Sequence, residues 1–82
     1  MGQESKEKSM TLCDADIGAS YEIRGMNLPR ATQMRLIALG MTSGTKITVL
    51  NNKRSGSVIF HVRGTRLAVG RQIAKEIYIY GD

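Results

Sequence analysis

Four stretches of the chain alternate apolar and polar residues with the period of two that is typical of half-buried β-strands. They lie within residues 18–25, 45–51, 57–63 and 76–80. Their predicted inward positions are Ala19, Tyr21, Ile23, Ile47, Val49, Val58, Phe60, Val62, Ile77 and Ile79. A shorter apolar run, Leu67 to Val69, predicts a fifth strand. The pattern therefore predicts a mainly β domain.

One segment, residues 27–40, has the periodicity of an α-helix. Its apolar stripe, predicted to face the core, consists of Ala31, Met34, Ala38 and Met41, widened by Leu36 and Leu39. Asn27 suits an N-cap and Pro29 a first-turn position. Gly40 is predicted to end the helix in a left-handed conformation, because it has no Cβ to obstruct that geometry.

Glycines also mark the turns between the predicted elements. Gly44 closes a tight turn that returns the chain from the helix to a strand, and Gly64 turns it between two strands. Residues 51–57 have the composition of a hairpin loop, and residues 70–77 offer one helical turn. Closing so small a sheet would remove its costly edges. The predicted fold is a small SH3-like barrel of about five strands, with one α-helix between the first two strands.

Length and composition bound the class of protein. A chain of 82 residues with 41% hydrophobic residues makes one globular domain, predicted at 10–82 after a flexible polar tail at 1–9. The single cysteine, Cys13, excludes an internal disulfide framework and fits a reducing compartment. No apolar run approaches the ~20 residues that span a bilayer. The expected location is the cytoplasm.

The charge is concentrated in the middle of the chain. The net charge is +5, and no acidic residue occurs from Ile23 to Lys75. The ten basic residues in that range are Arg24, Arg30, Arg35, Lys46, Lys53, Arg54, Arg63, Arg66, Arg71 and Lys75. Such a field favours nucleic acid, anionic lipid or an acidic protein surface. The alternative is an ordinary solvated basic surface.

Residues for catalysis or metal binding are scarce. His61 is the only histidine, and it falls at an outward strand position. Cys13, Asp14 and Asp16 could attract a metal weakly, but their spacing matches no established metal motif. The glycines form neither GxxxxGK[ST] nor GxGxxG. We therefore predict no catalytic residue, no cofactor and no metal site.

Two segments of the chain together resemble the FeoA family of the ferrous iron transport system. They are RLIALGMTSGTKITVL at residues 35–50 and VRGTRLAVGRQIAKEIYI at 62–79. The matching residues are Arg35, Leu36, Leu39, Gly40, Gly44, the run from Arg63 to Ala68, Ala74 and Ile77. With the strand before the helix, the resemblance covers roughly residues 11–80. Gly70 stands where related sequences often carry a second basic residue.

The resemblance implies a non-catalytic accessory of a membrane ferrous iron transporter whose cytoplasmic part binds guanine nucleotide. The family is also often labelled as transition-metal-binding, although no residue here indicates a metal site. Similar modules form the C-terminal domain of iron-dependent repressors. This chain has no helix-turn-helix segment, which favours the stand-alone form.

The leading hypothesis is an adaptor that docks on the transporter's cytoplasmic domain, with possible proximity to the membrane surface. Its candidate contact residues are Arg35, Met41, Arg63 and Arg66; alternatively, Arg35 pairs with Asp14 or Asp16. A rival hypothesis is a small basic barrel that binds nucleic acid, for which Tyr78 and Tyr80 are the available stacking pair. A proline-rich peptide binder is less suitable, since the chain has no Trp. The oligomeric state stays open.

Overall fold

Six antiparallel strands and two helices make up the fold in a computed structural model that describes residues 10–53 and 56–81. The strands are β1 Met10–Thr11, β2 Ser20–Met26, β3 Lys46–Asn52, β4 Val58–Val62, β5 Thr65–Val69 and β6 Ile77–Gly81. The helices are α1 Arg30–Ala38 and α2 Arg71–Ala74, and a 3-10 turn occupies Leu12–Asp14. The tail predicted at 1–9 and part of the predicted 51–57 loop lie outside the described residues.

The strands form one sheet in the order β1-β6-β2-β3-β4-β5, in which every neighbouring pair is antiparallel. This confirms a mainly β fold with a helix between two early strands, because α1 connects β2 to β3. The sheet has one strand more than predicted, since the two-residue β1 adds to the edge of β6. Within the described residues the ladder does not close into a barrel, and β1 and β5 are its two edges.

The inward positions predicted from the alternation form the core. Tyr21, Ile23, Ile47, Val49, Val58, Phe60, Val62, Ile77 and Ile79 are all buried, as predicted. Ala19 is only partly buried and packs against this cluster. Leu12, Ala15, Leu36, Met41, Val69 and Ala74 complete the core.

Irregular pairing interrupts two of the longer strands. The register shifts between Ile23 and Gly25 on β2, and between Val49 and Asn51 on β3. Each shift leaves an exposed residue, Arg24 or Leu50, without a partner in the ladder. A bulge bends its strand and increases the local twist. These two positions therefore let a small sheet curl around the core.

The C-terminal end of α1 is a Schellman motif. The Met41 N–H donates to the Leu36 carbonyl at 3.1 Å, and the Gly40 N–H donates to the Ile37 carbonyl at 2.9 Å. Gly40 has a φ of 109°, as the predicted left-handed position requires. Leu36 and Met41, which flank the reversal, are both buried. The prediction that Gly40 ends the helix is confirmed.

The N-terminal end of α1 differs from the prediction. The helix begins at Arg30 with Pro29 as its N-cap, whereas Asn27 lies outside it. The Asn27 N–H donates to the Glu76 carbonyl at 2.8 Å, and its side-chain amide donates to the Glu76 carboxylate at 3.3 Å. Asn27 therefore ties the end of β2 to the residue that precedes β6.

The predicted apolar stripe of α1 faces the core only at Leu36 and, just beyond the helix, at Met41. Met34 and Leu39 are exposed, as are Ala31 and Ala38, whereas Leu36 is the one buried residue of α1. The sheet supplies most of the core from its own side chains, so a nine-residue helix needs to add only Leu36. Periodicity locates an apolar stripe but does not determine what covers it.

The other two predicted glycine turns are also confirmed. Gly44 has a φ of 91° inside a turn in which the Thr45 N–H donates to the Thr42 carbonyl at 3.1 Å. The Gly44 N–H then donates to the Ile23 carbonyl at 2.7 Å, which attaches the turn to β2. Gly64 has a φ of 79° in the β4–β5 turn.

We predict that Gly40→Ala destabilises the protein more than Gly44→Ala does. Both glycines have positive φ, which costs an L side chain about 1–2 kcal/mol. A Cβ on Gly40 would in addition lie 3.0 Å from Cδ of Arg63, whereas a Cβ on Gly44 meets nothing within 4 Å. Urea unfolding of both variants measures the difference, and Gly40→Ala combined with Arg63→Ala should abolish it. Equal losses in the two single variants would contradict the contact.

Candidate docking surface

The β4–β5 connection is a two-residue turn, Arg63-Gly64, between the paired residues Val62 and Thr65. Both turn residues have positive φ, 49° for Arg63 and 79° for Gly64. That pair of conformations belongs to a type I′ turn, whose twist matches that of the flanking strands. The tight turn leaves the Arg63 side chain exposed at the tip of the hairpin.

The Arg63 stem connects this hairpin to the end of α1. Its Cδ lies 3.0 Å from the position that a Cβ of Gly40 would take, and its Cγ lies 3.6 Å away. The missing side chain of Gly40 therefore leaves the space through which the arginine passes. Arg35 lies in the last turn of α1, one helical turn before Leu39. The structure thus brings Arg35 and Arg63 to the same end of the helix.

Arg66 lies on the same hairpin as Arg63. It pairs across the ladder with His61, and both side chains are exposed, as predicted for His61. We call Arg35, Arg63 and Arg66 the arginine surface. Within the described residues, none of the three guanidinium groups makes a hydrogen bond or ion pair.

The alternative pairing of Arg35 with an aspartate does not occur among the described residues. The Asp14 carboxylate accepts hydrogen bonds from the N–H and the hydroxyl of Thr11, both at 3.1 Å. Asp16 uses its backbone N–H to donate to the Tyr21 hydroxyl at 2.8 Å. Asp14 therefore caps its own 3-10 turn and does not neutralise Arg35.

Met41 cannot belong to an exposed contact surface. Its side chain is fully buried, and it packs in the core together with Leu36. The prediction that Met41 contributes an adaptable surface contact is therefore wrong. The reversal at Gly40 turns the next residue inward, which the prediction did not take into account.

Arg71 has a structural role that the sequence did not reveal. Its guanidinium donates to the Asn52 side-chain oxygen at 2.9 Å, to the Lys53 carbonyl, and to the Cys13 carbonyl at 3.4 Å. The Asn52 amide in turn donates to the carbonyls of Cys13 and Ala15, at 3.0 and 2.8 Å. Arg71 and Asn52 together form a clamp that holds the N-terminal segment against β3 and α2.

A polar cleft of about 510 Å³ lies beside this clamp. Its lining includes Cys13, Asp14, Asp16 and Arg71. The Cys13 thiol donates to the Arg71 carbonyl at 3.6 Å. No cluster of three or more His, Cys, Asp or Glu side chains suited to a metal ion occurs in residues 10–53 and 56–81.

The exposed aromatic residues of β6 are partly covered by the protein itself. Tyr80 is exposed and Tyr78 is half-buried on the outer face of the strand. The Arg24 guanidinium lies 5.4 Å from the centre of the Tyr80 ring, as a cation–π contact. One face of the more exposed ring is therefore already occupied by a side chain of this protein.

Comparison with known proteins agrees with this architecture. The FeoA domain family matches residues 10–80. A protein named "Putative Fe(2+) transport protein A" from Methanocaldococcus jannaschii is 28% identical over 68 residues, which cover 83% of this chain and 82% of that protein.

Solved structures show the same fold. The solution structure of the FeoA protein from Chlorobium tepidum superposes with a TM-score of 0.81 at 26% identity, covering 88% of this chain and 70% of that one. A crystal structure of an iron uptake regulatory protein, FeoA, gives 0.80 at 23% identity, covering 89% and 97%. A manganese-dependent transcriptional repressor gives 0.82 at 13% identity; the match covers 99% of this chain and 46% of the repressor.

The fold therefore defines a small SH3-like module, as predicted. The chain belongs to the FeoA family, whose members are non-catalytic accessory proteins of ferrous iron transport. In the part of the chain that the structure describes, no helix is long and apolar enough to cross a membrane.

We predict that the clamp stabilises the fold while the arginine surface does not. Arg71→Met removes part-buried hydrogen bonds to the Asn52 side chain and the Cys13 carbonyl, and an exposed one to the Lys53 carbonyl. It should cost about 1–3 kcal/mol of unfolding free energy. Arg66→Met changes an exposed side chain without a partner and should cost less than about 0.5 kcal/mol. Thermal and urea unfolding measure both. Equal stability of the two variants would show that the clamp contributes nothing.

Proposed function

We propose that this protein is an adaptor of ferrous iron uptake that docks on the cytoplasmic GTP-binding part of the membrane iron transporter. Membership of a family of non-catalytic transport accessories supports this function. The observation that carries the proposal is the arginine surface, where three exposed guanidinium groups have no partner within the described residues.

The arginine surface is suited to an acidic partner. Unpaired exposed cations attract a complementary surface and raise the rate of encounter. No acidic residue occurs from Ile23 to Lys75, so none adjacent in sequence to these three arginines weakens this field. By contrast, Arg71 is engaged in the clamp and Arg24 lies over Tyr80. The structure thus separates arginines with an internal role from those available to a partner.

The same charge would keep the adaptor close to its target. The cytoplasmic leaflet is negatively charged, and each basic residue near it contributes about 1 kcal/mol of attraction. A membrane transporter presents its cytoplasmic domain next to that leaflet. The proposed location is therefore the cytoplasmic face of the membrane, with the protein partner supplying specificity.

Nucleic-acid binding is the rival function. Proteins that bind single strands stack bases on exposed aromatic side chains. Here the most exposed ring, Tyr80, has Arg24 over one face, and Tyr78 is half-buried. This arrangement favours the adaptor.

We predict that Arg63→Glu combined with Arg66→Glu weakens binding to the transporter's purified cytoplasmic domain, raising Kd by roughly tenfold or more. The fold should be retained, because both side chains are exposed. The matched control is Lys53→Glu with Lys75→Glu, which changes the net charge equally at exposed positions in the β3–β4 loop and between α2 and β6. Calorimetry at several salt concentrations measures the affinities, and iron uptake in cells measures the consequence.

Two outcomes would contradict the proposal. Unchanged binding and uptake in the folded arginine variant would remove this surface from the mechanism. Tight wild-type binding to a single-stranded oligonucleotide at physiological salt, lost in the arginine variant, would instead establish the nucleic-acid function.

A further inference from the structure

Helix α1 exposes its apolar stripe to solvent. Met34 and Ile37 are 59% and 41% exposed, and Ala31 and Ala38 are exposed beside them. At about 100° per residue, Ala31, Met34 and Ala38 lie about 140–160° around the helix from the buried Leu36, and Ile37 lies about 100° from it. We call Ala31, Met34, Ile37 and Ala38 the helix stripe.

A depression of about 500 Å³ adjoins the helix stripe. Its lining residues are Leu28, Arg30, Gln33, Met34 and Ile37. Helices of single domains normally turn their apolar side to the core, and a contiguous exposed apolar patch marks an interaction site. An amphipathic helix can lay its apolar face into a hydrophobic groove. Leu28, Met34 and Ile37 provide the apolar part of this depression.

Charge determines what kind of partner fits. Arg30 lines the depression and Arg35 lies on the other flank of the stripe. Both are exposed without a partner among the described residues. A second copy of the chain would bring these same arginines face to face, and like charges oppose such pairing. A partner that carries carboxylates beside its apolar residues would instead form ion pairs with Arg30 and with Arg35.

We propose that the helix stripe docks an amphipathic helix of the transporter's cytoplasmic part, with apolar side chains in the depression and carboxylates against Arg30 and Arg35. This inference rests on the proposed function and names the contact that anchors it. The stripe adjoins the arginine surface, because Arg35 belongs to α1 and the Arg63 stem crosses the helix end at Gly40. The stripe therefore forms the apolar centre of an interface, and the arginine surface forms its rim.

The decisive variant is Met34→Ser combined with Ile37→Ser. It should raise Kd for the purified cytoplasmic domain at least about tenfold, because apolar anchors at the centre of an interface supply most of its affinity. The matched control is Ile17→Ser with Leu50→Ser, which removes side chains that are 62% and 43% exposed. The control should bind like the wild type, and thermal unfolding should show that both variants fold.

A charge test and a cross-link identify the occupant. Arg30→Glu should raise Kd severalfold, whereas Arg30→Lys should bind like the wild type. With benzoylphenylalanine in place of Met34, irradiation of the wild-type complex should cross-link the chain to a helical segment that has Asp or Glu within one turn of its apolar residues. The same substitution at Ile17 is the control and should not cross-link to that segment.

Each other outcome overturns the inference. If the wild-type chain does not bind the cytoplasmic domain, the proposed function fails as well. If the wild type binds and the Met34→Ser/Ile37→Ser variant binds equally, only this inference fails. A cross-link to a second copy would assign the stripe to self-association. If the Met34→Ser/Ile37→Ser variant loses binding to phosphatidylglycerol vesicles but binds the domain like the wild type, the stripe is assigned to a membrane.

Discussion

The left-handed backbone at Gly40 is the constraint on which the rest of the structure depends. It lets α1 end in a Schellman motif, so that Leu36 and Met41 enter the core on either side of one reversal. The absence of a side chain there also admits the Arg63 stem, which brings the hairpin turn against the helix. One residue thus determines core packing, the direction of the helix and the position of a surface arginine.

Local patterns predicted the sheet well and the environment of the helix poorly. Alternation assigned the buried side of the strands correctly because a strand in this sheet has one covered face and one exposed face. For α1, the spacing located a row of apolar side chains, but the same spacing occurs whether those side chains face the core or a partner. The assignment of Met34 to the core was wrong for this reason. Met41 was assigned both to this stripe and to a surface contact, and only its place in the core is confirmed. The Gly40 reversal exchanges which side of the chain faces inward.

The clamp could not be predicted because it joins residues far apart in sequence. Nothing near Leu12 or Cys13 has a period. Leu12 is fully buried where β1 adds to β6 and where Arg71 and Asn52 hold the Cys13 carbonyl. In the sequence, Arg71 is one of ten basic residues in a stretch that contains no acidic residue. Its contacts with Asn52 and Cys13 distinguish it from Arg63 and Arg66, which have no such partners among the described residues. The sequence charge predicted a basic surface, whereas the contacts made in the fold determine which of the basic side chains are exposed on that surface.

A helix that buries only Leu36 is weakly attached to its domain. Most of the core lies in the strands, so α1 can open locally without exposing that core, at a free energy well below that of global unfolding. Its backbone amides should therefore exchange with solvent sooner than those of β4 or β6. A ligand that covers α1 would stabilise the closed helix and slow that exchange, while the sheet would be unaffected. Binding of a ligand to α1 should therefore change the amide exchange of this helix more than that of any strand.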